Sequence, residues 1–394
     1  MNTIARLLVA TLVAGPVAAQ DHDEVWRLFV ADHADPVVRA VDLEHAKVIE
    51  AFTLSAPAAL RLSSSGRLVY AAQRDGGAVA VIDTGVAREE HGDHDDVTLT
   101  APRLLEARIE GAKPVHVVEH DGRTAVFFDD EGVVRIVTEA ALLAGDPTAT
   151  EVATAAPHHG VAVTMGAHLI VSVPHPEDPT KLPIGVEVRD AGGAVVGELH
   201  ACPDLHGEAS AGSAVVIACA TGVLRIEPGD AGPAVVFVPY PAGMPEGKTT
   251  TLIGNDTVRW FVGNWGRDGL VSIDAWEGAF DHARLPVRRV HFAADPERPR
   301  FAYVFTEDGA LHRFDVLNAE IVASLPLTEP YSMDGHWSDP RPRIAVAGDA
   351  IVVSDPLKGV LRVVDAESFV ETATIAVPGK PFALVAVGGA PHGH

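Results

Sequence analysis

The sequence has few basic residues and almost no cysteine. Its 394 residues include 30 Lys and Arg against 54 Asp and Glu, which gives a formal net charge of −24. Phosphate backbones and anionic lipid repel such a polyanion, so nucleic acid and membrane surfaces are disfavoured as partners. Two cysteines are too few for a disulfide scaffold or a four-thiolate zinc site. Divalent cations are the partners this charge attracts, and the chain carries 19 His.

The common catalytic motifs are also missing. The sequence contains no G-x-S-x-G, no P-loop, no H-E-x-x-H and no C-x-x-C-H haem attachment. We therefore expect no enzymatic turnover. After the first twenty residues, no stretch approaches 18 uninterrupted apolar residues, so we expect no membrane insertion.

Residues 1–20 have the pattern of a secretory signal peptide. Arg6 supplies a short positive region, residues 7–13 are apolar, and small residues at 17–19 precede a cleavage point near Gln20. We expect residues 21–394 to form one exported domain, which is periplasmic if the source is Gram-negative. In an oxidising compartment Cys202 and Cys219 are expected to form a disulfide, with a thiolate metal pair as the alternative.

An internal repeat predicts the fold. In each copy a strand, a turn and a second strand are followed by Gly and an apolar run, which closes on an acidic residue in most copies. The clearest copy is HVVEHDGRTAVFFDDEGVVRIV, at residues 116–137. The eight closing positions are Asp42, Asp83, Thr138, Asp190, Glu227, Asp274, Asp315 and Asp365.

These closings are 37 to 55 residues apart, close to the length of a four-stranded propeller blade. We therefore predict an all-β protein with a single β-propeller, eight-bladed, with seven blades and a pair of β-sandwiches as alternatives. The final segment PFALVAVGG, from Pro381, resembles a missing first strand. Pairing of the N- and C-terminal strands would then complete one blade and close the ring.

Three successive blades begin their inner strand with histidine. The residues are His116 after Pro114-Val115, His159 between His158 and Gly160, and His206 after Leu205. Because inner strands all start at the same end of the channel, the three imidazoles should meet at one mouth. Three neutral imidazoles favour a Zn²⁺ site, and affinity should fall as pH drops through about 6.5 because zinc needs deprotonated rings.

The fourth ligand of this primary site is open between several candidates. Asp129 or Asp130, at the end of the next strand, could complete it, and His33 in the matching turn of the first blade is another candidate. A disulfide between Cys202 and Cys219 would hold the loop that presents His206.

Two further tracts are rich in His and acidic residues, a composition that binds divalent metal. Residues 21–24 contain His22, and residues 91–96, in a polar loop after Asp83, contain His91 and His94. We expect these three histidines to form flexible or secondary metal sites of modest affinity.

Several of these segments together resemble the AztD-type zinc metallochaperones. The resemblance rests on the signal peptide, the His/Asp N-terminus, HGDHDD at 91–96, KPVHVV at 113–118, HHGVAV at 158–163 and CPDLHGEA from residue 202. Members of that family are periplasmic β-propellers that hand zinc to the solute-binding protein of a zinc ABC transporter. The resemblance implies a structured zinc site at His116, His159 and His206 and a flexible one around His22.

Other functions are open at this point. A propeller enzyme or cofactor binder, such as a metal-dependent lactonase or a tetrapyrrole-binding propeller, is the principal alternative, because three histidines and an open position also describe a catalytic metal site. A propeller that only binds other proteins is the third hypothesis. We expect a monomer whose partner is the transporter's solute-binding protein.

Overall fold

The computed structural model describes residues 25–90, 95–120, 122–255 and 257–389. In these residues, eight four-stranded antiparallel sheets and one two-stranded sheet account for nearly all regular structure. The predicted all-β, eight-bladed propeller is confirmed, and the seven-bladed and sandwich alternatives are wrong.

The first nine strands form three strands of the first blade, all of the second blade and the small sheet. These are β1 (Val25–Asp32), β2 (Val37–Asp42), β3 (Lys47–Thr53), β4 (Ala59–Leu62), β5 (Leu68–Gln73), β6 (Ala78–Asp83), β7 (Val86–Glu90), β8 (Asp95–Leu99) and β9 (Arg103–Glu110).

The third, fourth and fifth blades follow, with one short helix. Their elements are β10 (Pro114–His120), β11 (Arg123–Phe128), β12 (Val133–Thr138), α1 (Glu139–Leu143), β13 (Thr150–Ala153), β14 (Ala162–Met165), β15 (His168–Val173), β16 (Gly185–Arg189), β17 (Val195–Ala201), β18 (Glu208–Ala211), β19 (Ala214–Ala218), β20 (Gly222–Glu227) and β21 (Ala234–Pro239).

The remaining three blades lead to a last strand that returns to the first blade. These strands are β22 (Leu252–Gly254), β23 (Phe261–Trp265), β24 (Gly269–Asp274), β25 (Ala279–Arg284), β26 (Arg289–Ala294), β27 (Phe301–Thr306), β28 (Ala310–Asp315), β29 (Glu320–Pro326), β30 (Ile344–Ala347), β31 (Ala350–Asp355), β32 (Val360–Asp365), β33 (Glu371–Ala376) and β34 (Pro381–Gly389).

The ring closes by pairing the two ends of the described chain. The first blade has the order β3-β2-β1-β34, so its innermost strand comes from the C-terminal side and pairs antiparallel with β1. The backbone N–H of Lys380 also donates to Asp32 Oδ2 at 2.8 Å, which ties the end of β1 to the turn before β34. The predicted closure is confirmed.

Burial divides each blade into layers. The second and third strands are the most buried, and all residues of β5 and β19 are buried. The fourth strands face solvent, as in β17 and β33. Apolar clusters bridge neighbouring blades, so that Val163 and Ile170 of the fourth blade pack with Val215 and Ile217 of the fifth. The inner strands contact one another around the channel, as β10 does with β14 and β18 with β22.

The recurrent acidic residues end the third strand of their blades and stabilise the turn that follows. Asp274 Oδ1 accepts the backbone N–H of Trp276 at 2.9 Å, as an Asx turn requires. Asp83 Oδ1 likewise accepts the backbone N–H of Gly85 at 3.0 Å, and it also pairs with Arg67 Nε at 2.8 Å. Much of the acidic excess is therefore scaffold.

The polar segment after Asp83 contains more structure than the predicted loop. Strands β7 and β8 pair as a hairpin between the third and fourth strands of the second blade, and Asp95 and Asp96 lie in β8 rather than in a loop. In the part of the chain that the structure describes, no helix is long and apolar enough to cross a membrane.

Candidate metal centre

The three predicted histidines meet at one end of the channel. His116 lies at the start of β10, while His159 and His206 lie in the segments that lead into β14 and β18. The ring centroid of His159 lies 5.0 Å from that of His116 and 5.3 Å from that of His206. The ring centroids of His116 and His206 are 6.5 Å apart. One side chain from each of three successive blades therefore contributes to the cluster.

Each imidazole is oriented by an acceptor at its Nδ1 atom. His159 Nδ1 lies 2.7 Å from Asp129 Oδ2, and His206 Nδ1 lies 2.8 Å from the carbonyl oxygen of Thr250. His116 Nδ1 lies 3.2 Å from Glu208 Oε1. Carboxylate and carbonyl oxygens only accept, so Nδ1 carries the proton in all three rings and Nε2 presents its lone pair.

The spacing of two of these nitrogens matches that around a tetrahedral zinc ion. The Nε2 atoms of His116 and His159 are 3.4 Å apart. Two nitrogens that each lie about 2.0–2.1 Å from a tetrahedral zinc are separated by about 3.4 Å. Nδ1 protons donated to carboxylates or carbonyls are the usual arrangement behind zinc-binding histidines.

The electrostatics of the cluster differ between its rings. Burial lowers the pKa of His116, but the Glu208 carboxylate outweighs burial and the net pKa is raised. Burial alone would raise the pKa of the Glu208 carboxyl. The neighbouring His116 and Arg61 outweigh burial, so this pKa lies below its ordinary value. Burial lowers the pKa of His206, and the nearby His159 adds to the effect. Glu208 thus makes His116 more basic, whereas His206 is shifted towards its neutral form.

The neighbouring His158 has a structural role. Its Nδ1 contacts the carbonyl oxygen of Ala156 at 2.8 Å, and its Nε2 contacts Ser172 Oγ at 2.9 Å. Its ring is buried and packs edge-on against Phe127. Both nitrogens of His158 are therefore occupied, which leaves His159 as the histidine of this pair whose Nε2 faces the cluster.

The candidates for a fourth ligand lie in different places. Asp129 is buried at the cluster, and its Oδ1 atom has no hydrogen-bond partner. Asp130 is exposed and pairs with Lys113 at 3.0 Å. His33 Nε2 contacts the carbonyl oxygen of Ser338, and its ring packs on Phe382, so no described contact joins His33 to the cluster.

Sequence reasoning missed Glu208, which lies in the wall of the channel beside His116. The available signal was its position at the start of the inner strand β18, two residues after His206. The contribution of the Thr250 carbonyl had no sequence signal.

A second group of potential ligands lies on the surface. Ligand atoms of Asp42, Glu44 and His45 lie within 4.8 Å of one another in the turn after β2. His45 is 57% exposed, and Asp42 already accepts its backbone N–H at 3.0 Å. This group lies in an exposed turn. In the three-histidine cluster each ring instead contacts an acceptor from a different blade, and the side chains of His116 and His159 are only 16% and 35% exposed.

The predicted disulfide is confirmed. Cys202 and Cys219 are bonded and fully buried. They flank His206, whose backbone N–H donates to the carbonyl oxygen of Ala218 at 3.1 Å. The predicted signal peptide and the secondary ligands His22, His91 and His94 lie outside the described residues.

Fold and site together define an eight-bladed propeller with three histidines at one channel mouth. Comparison with known proteins gives the family. The zinc chaperone AztD of Citrobacter koseri is 45% identical over 390 residues, covering 99% of this chain and 93% of that protein. The chain belongs to the AztD family.

Solved structures agree with this assignment. A crystal structure of Citrobacter koseri AztD matches with a TM-score of 0.92 and 46% identity, covering 94% of this chain and all of that chain. A structure of apo AztD from the same organism matches with a TM-score of 0.90, 45% identity and the same coverage. No protein-family model matches the sequence.

Proposed function

We propose that this protein is a zinc chaperone that binds Zn²⁺ through His116, His159 and His206. The observation that carries the proposal is that the Nε2 atoms of His116 and His159 lie 3.4 Å apart. In both rings the Nδ1 atom contacts a carboxylate, which directs Nε2 into the cluster. Membership of the family of a protein named as a zinc chaperone supports the same metal. Zinc is the cargo here, and no turnover is expected.

The charge balance of the site favours a dication. Three neutral imidazoles bring no charge, while Asp129 and Glu208 bring two negative charges within hydrogen-bond distance of the rings. Asp129 Oδ1 makes no hydrogen bond, whereas Glu208 Oε2 lies 3.1 Å from His116 Nδ1. Asp129 Oδ1, a water or an incoming ligand could fill the fourth position.

The site is suited to release as well as binding. The side chain of His159 is 35% exposed, whereas that of His116 is 16% exposed. An incoming ligand can therefore replace His159 first, while His116 and His206 hold the ion. We propose direct transfer through such a mixed-ligand complex to the solute-binding protein of a zinc ABC transporter.

The proposed compartment is the periplasm. The buried disulfide suits an oxidising environment, and the signal-peptide pattern of residues 1–20 suits export. In that compartment the histidines at 22, 91 and 94 would serve as secondary sites that collect or pass on zinc.

A transfer experiment tests the proposal. Zinc-loaded protein is mixed with the metal-free solute-binding protein of the same organism's zinc ABC transporter, or with a small-molecule chelator of equal affinity. Direct transfer predicts that the rate rises with the concentration of the solute-binding protein and exceeds release to the chelator. Equal rates that do not depend on acceptor concentration would show dissociation into solution and contradict direct hand-over.

A further inference from the structure

The wall of the central channel carries an unexpected concentration of positive charge. A cavity of about 630 Å³ is lined by residues of inner strands β4, β22, β26 and β34, and three arginines project among them: Arg61, Arg289 and Arg343. In a chain with a net charge of −24, three cations around one cavity are a local reversal of sign.

These arginines lack the acidic partners that other arginines of the chain have. Within the described residues, none of the three forms a salt bridge, whereas Arg67, Arg300 and Arg362 all pair with aspartates. The Nη1 atom of Arg289 is shielded from solvent and has no hydrogen-bond partner. Arg61 and Arg343 each donate from Nη1 to a nearby carbonyl oxygen, of Leu60 and Pro342. Most of their N–H donors are therefore unused.

A neutral donor lies among them. His291 lines the same cavity, and its Nδ1 atom accepts the backbone N–H of Ile344 at 3.1 Å, so its Nε2 atom carries the proton. Burial lowers the pKa of His291 well below its ordinary value, and Arg343, Arg289 and Arg61 lower it further. Burial also lowers the pKa of Arg289 and Arg343 to about 10. The three guanidinium groups thus surround one imidazole, and none of them forms a salt bridge among the described residues.

One carboxylate is present among the residues that line the cavity. Glu208 is engaged by His116 Nδ1, at 3.2 Å from Oε1 and 3.1 Å from Oε2. Counted against the three arginines, this single carboxylate still leaves an excess of two positive charges around the cavity. Arg289 and Arg343 are half-buried and stack on the rings of Phe292 and Phe382, while Arg61 is exposed. Half-buried cations that carry no ion pair are costly, so their retention points to a bound counter-charge.

We propose that the channel binds a small multivalent oxyanion, a carboxylate or a phosphate, between Arg61, Arg289 and Arg343, with His291 as an additional donor. Planar guanidinium groups match the paired oxygens of both anion types. The cavity has room for such an anion together with water. This site is separate from the zinc ligands and goes beyond zinc binding.

Titration of the zinc-free protein tests this inference, with inorganic phosphate and succinate as the two probes and chloride as a monovalent control. Calorimetry in a buffer without other multivalent anions should show saturable binding of phosphate, succinate or both. Arg289→Gln and Arg343→Gln should each weaken it at least tenfold. Arg284→Gln is the matched control, because Arg284 is 81% exposed on an outer strand. Its affinity should equal that of the wild type.

Thermal unfolding provides an independent readout. The binding anion should raise the Tm of the wild type and of Arg284→Gln, and should raise it less in the two channel variants. If a glutamine variant does not fold, Arg289→Lys keeps the charge and loses the planar fork, and it should also bind more weakly. No saturable binding of either probe, or equal affinity in the channel variants and the wild type, would overturn the proposal.

Discussion

His159 Nδ1 donates to Asp129 Oδ2 across 2.7 Å, and this bond sets which ring nitrogen faces the cluster. Asp129 lies at the end of the second strand of the third blade, while His159 precedes the inner strand of the fourth. The contact therefore crosses a blade boundary and fixes the imidazole relative to His116. The same carboxylate was predicted as a metal ligand, and its Oδ1 atom is without a hydrogen bond.

Substitution of Asp129 separates a positioning role from direct ligation. If Asp129 orients His159, Asp129→Ala should weaken zinc binding about 10–100-fold, and Asp129→Asn should recover part of the loss because its amide oxygen still accepts the Nδ1 proton. Zinc dissociation constants measured by competition check this. Unchanged affinity in Asp129→Ala would exclude both roles, and equal large losses in both variants would favour direct ligation.

Gly160 should be essential for the position of His159. A Cβ atom at residue 160 would lie 2.6 Å from Ser172 Oγ and 2.7 Å from His158 Nε2. Gly160→Ala should therefore push apart His158 and Ser172 and lower the free energy of unfolding by about 1–3 kcal/mol. Because His159 lies between residues 158 and 160, zinc binding should weaken as well. Thermal unfolding and zinc titration measure the two effects. Gly192→Ala, where the nearest atom is Asp190 Oδ1 at 3.3 Å, is the control and should change neither.

The disulfide should contribute substantially to stability. Cys202 and Cys219 are 17 residues apart, and a loop of that length predicts a loss of about 3 kcal/mol when the bond is removed. Replacement of both by Ala should lower the denaturant midpoint accordingly. Zinc affinity should fall less than it does when a histidine of the cluster is removed, because the Thr250 carbonyl still orients His206. A double variant as stable as the wild type would contradict the prediction.

Ring closure should depend on pH through Asp32. Burial raises the pKa of its carboxyl, but the backbone N–H groups of Asp35, Ala34 and Lys380 outweigh burial and the net pKa is lowered. A lowered pKa means that this stabilisation is complete above the unfolded pKa, about 4, and is lost as pH falls through the folded value. Asp32→Asn should cost about 1–3 kcal/mol at pH 7, and the difference should shrink below pH 4.

Denaturant unfolding at pH 7 and pH 3 checks this prediction. The exposed Asp281→Asn is the control and should differ little from the wild type at either pH. A deficit in Asp32→Asn that stays the same at both pH values would show that the lost hydrogen bonds are independent of charge.

The fold was predictable because the repeat is a direct consequence of strand chemistry. The third strand of each blade ends at or beside its predicted closing position, as at Asp42, Asp83 and Asp315. The acidic side chains there accept backbone N–H groups of the following turn, so the acidic position marks the end of the third strand in the sequence. The hairpin of β7 and β8 was not predicted, because its short, charged sequences VAREE and DDVTL show no clear alternation of apolar and polar residues.

The site was predictable only in part. Inner-strand position placed His116, His159 and His206 together, because topology alone decides which strand ends meet. The contacts of Glu208 and Thr250 depend on side-chain and backbone geometry between blades. The cluster of channel arginines could not be predicted from the sequence. Arg61, Arg289 and Arg343 are far apart along the chain, and the net charge of −24 suggests no local excess of positive charge.

Zinc titration of the metal-free protein tests the central claim most directly. The wild type should bind one zinc ion tightly, and His116→Ala, His159→Ala and His206→Ala should each weaken that event by more than the about 10–100-fold expected for loss of an orienting residue. His45→Ala, which removes the histidine of the exposed group with Asp42 and Glu44, should bind as the wild type does. Unchanged tight binding in all three cluster variants, or its loss only in His45→Ala, would contradict the assignment.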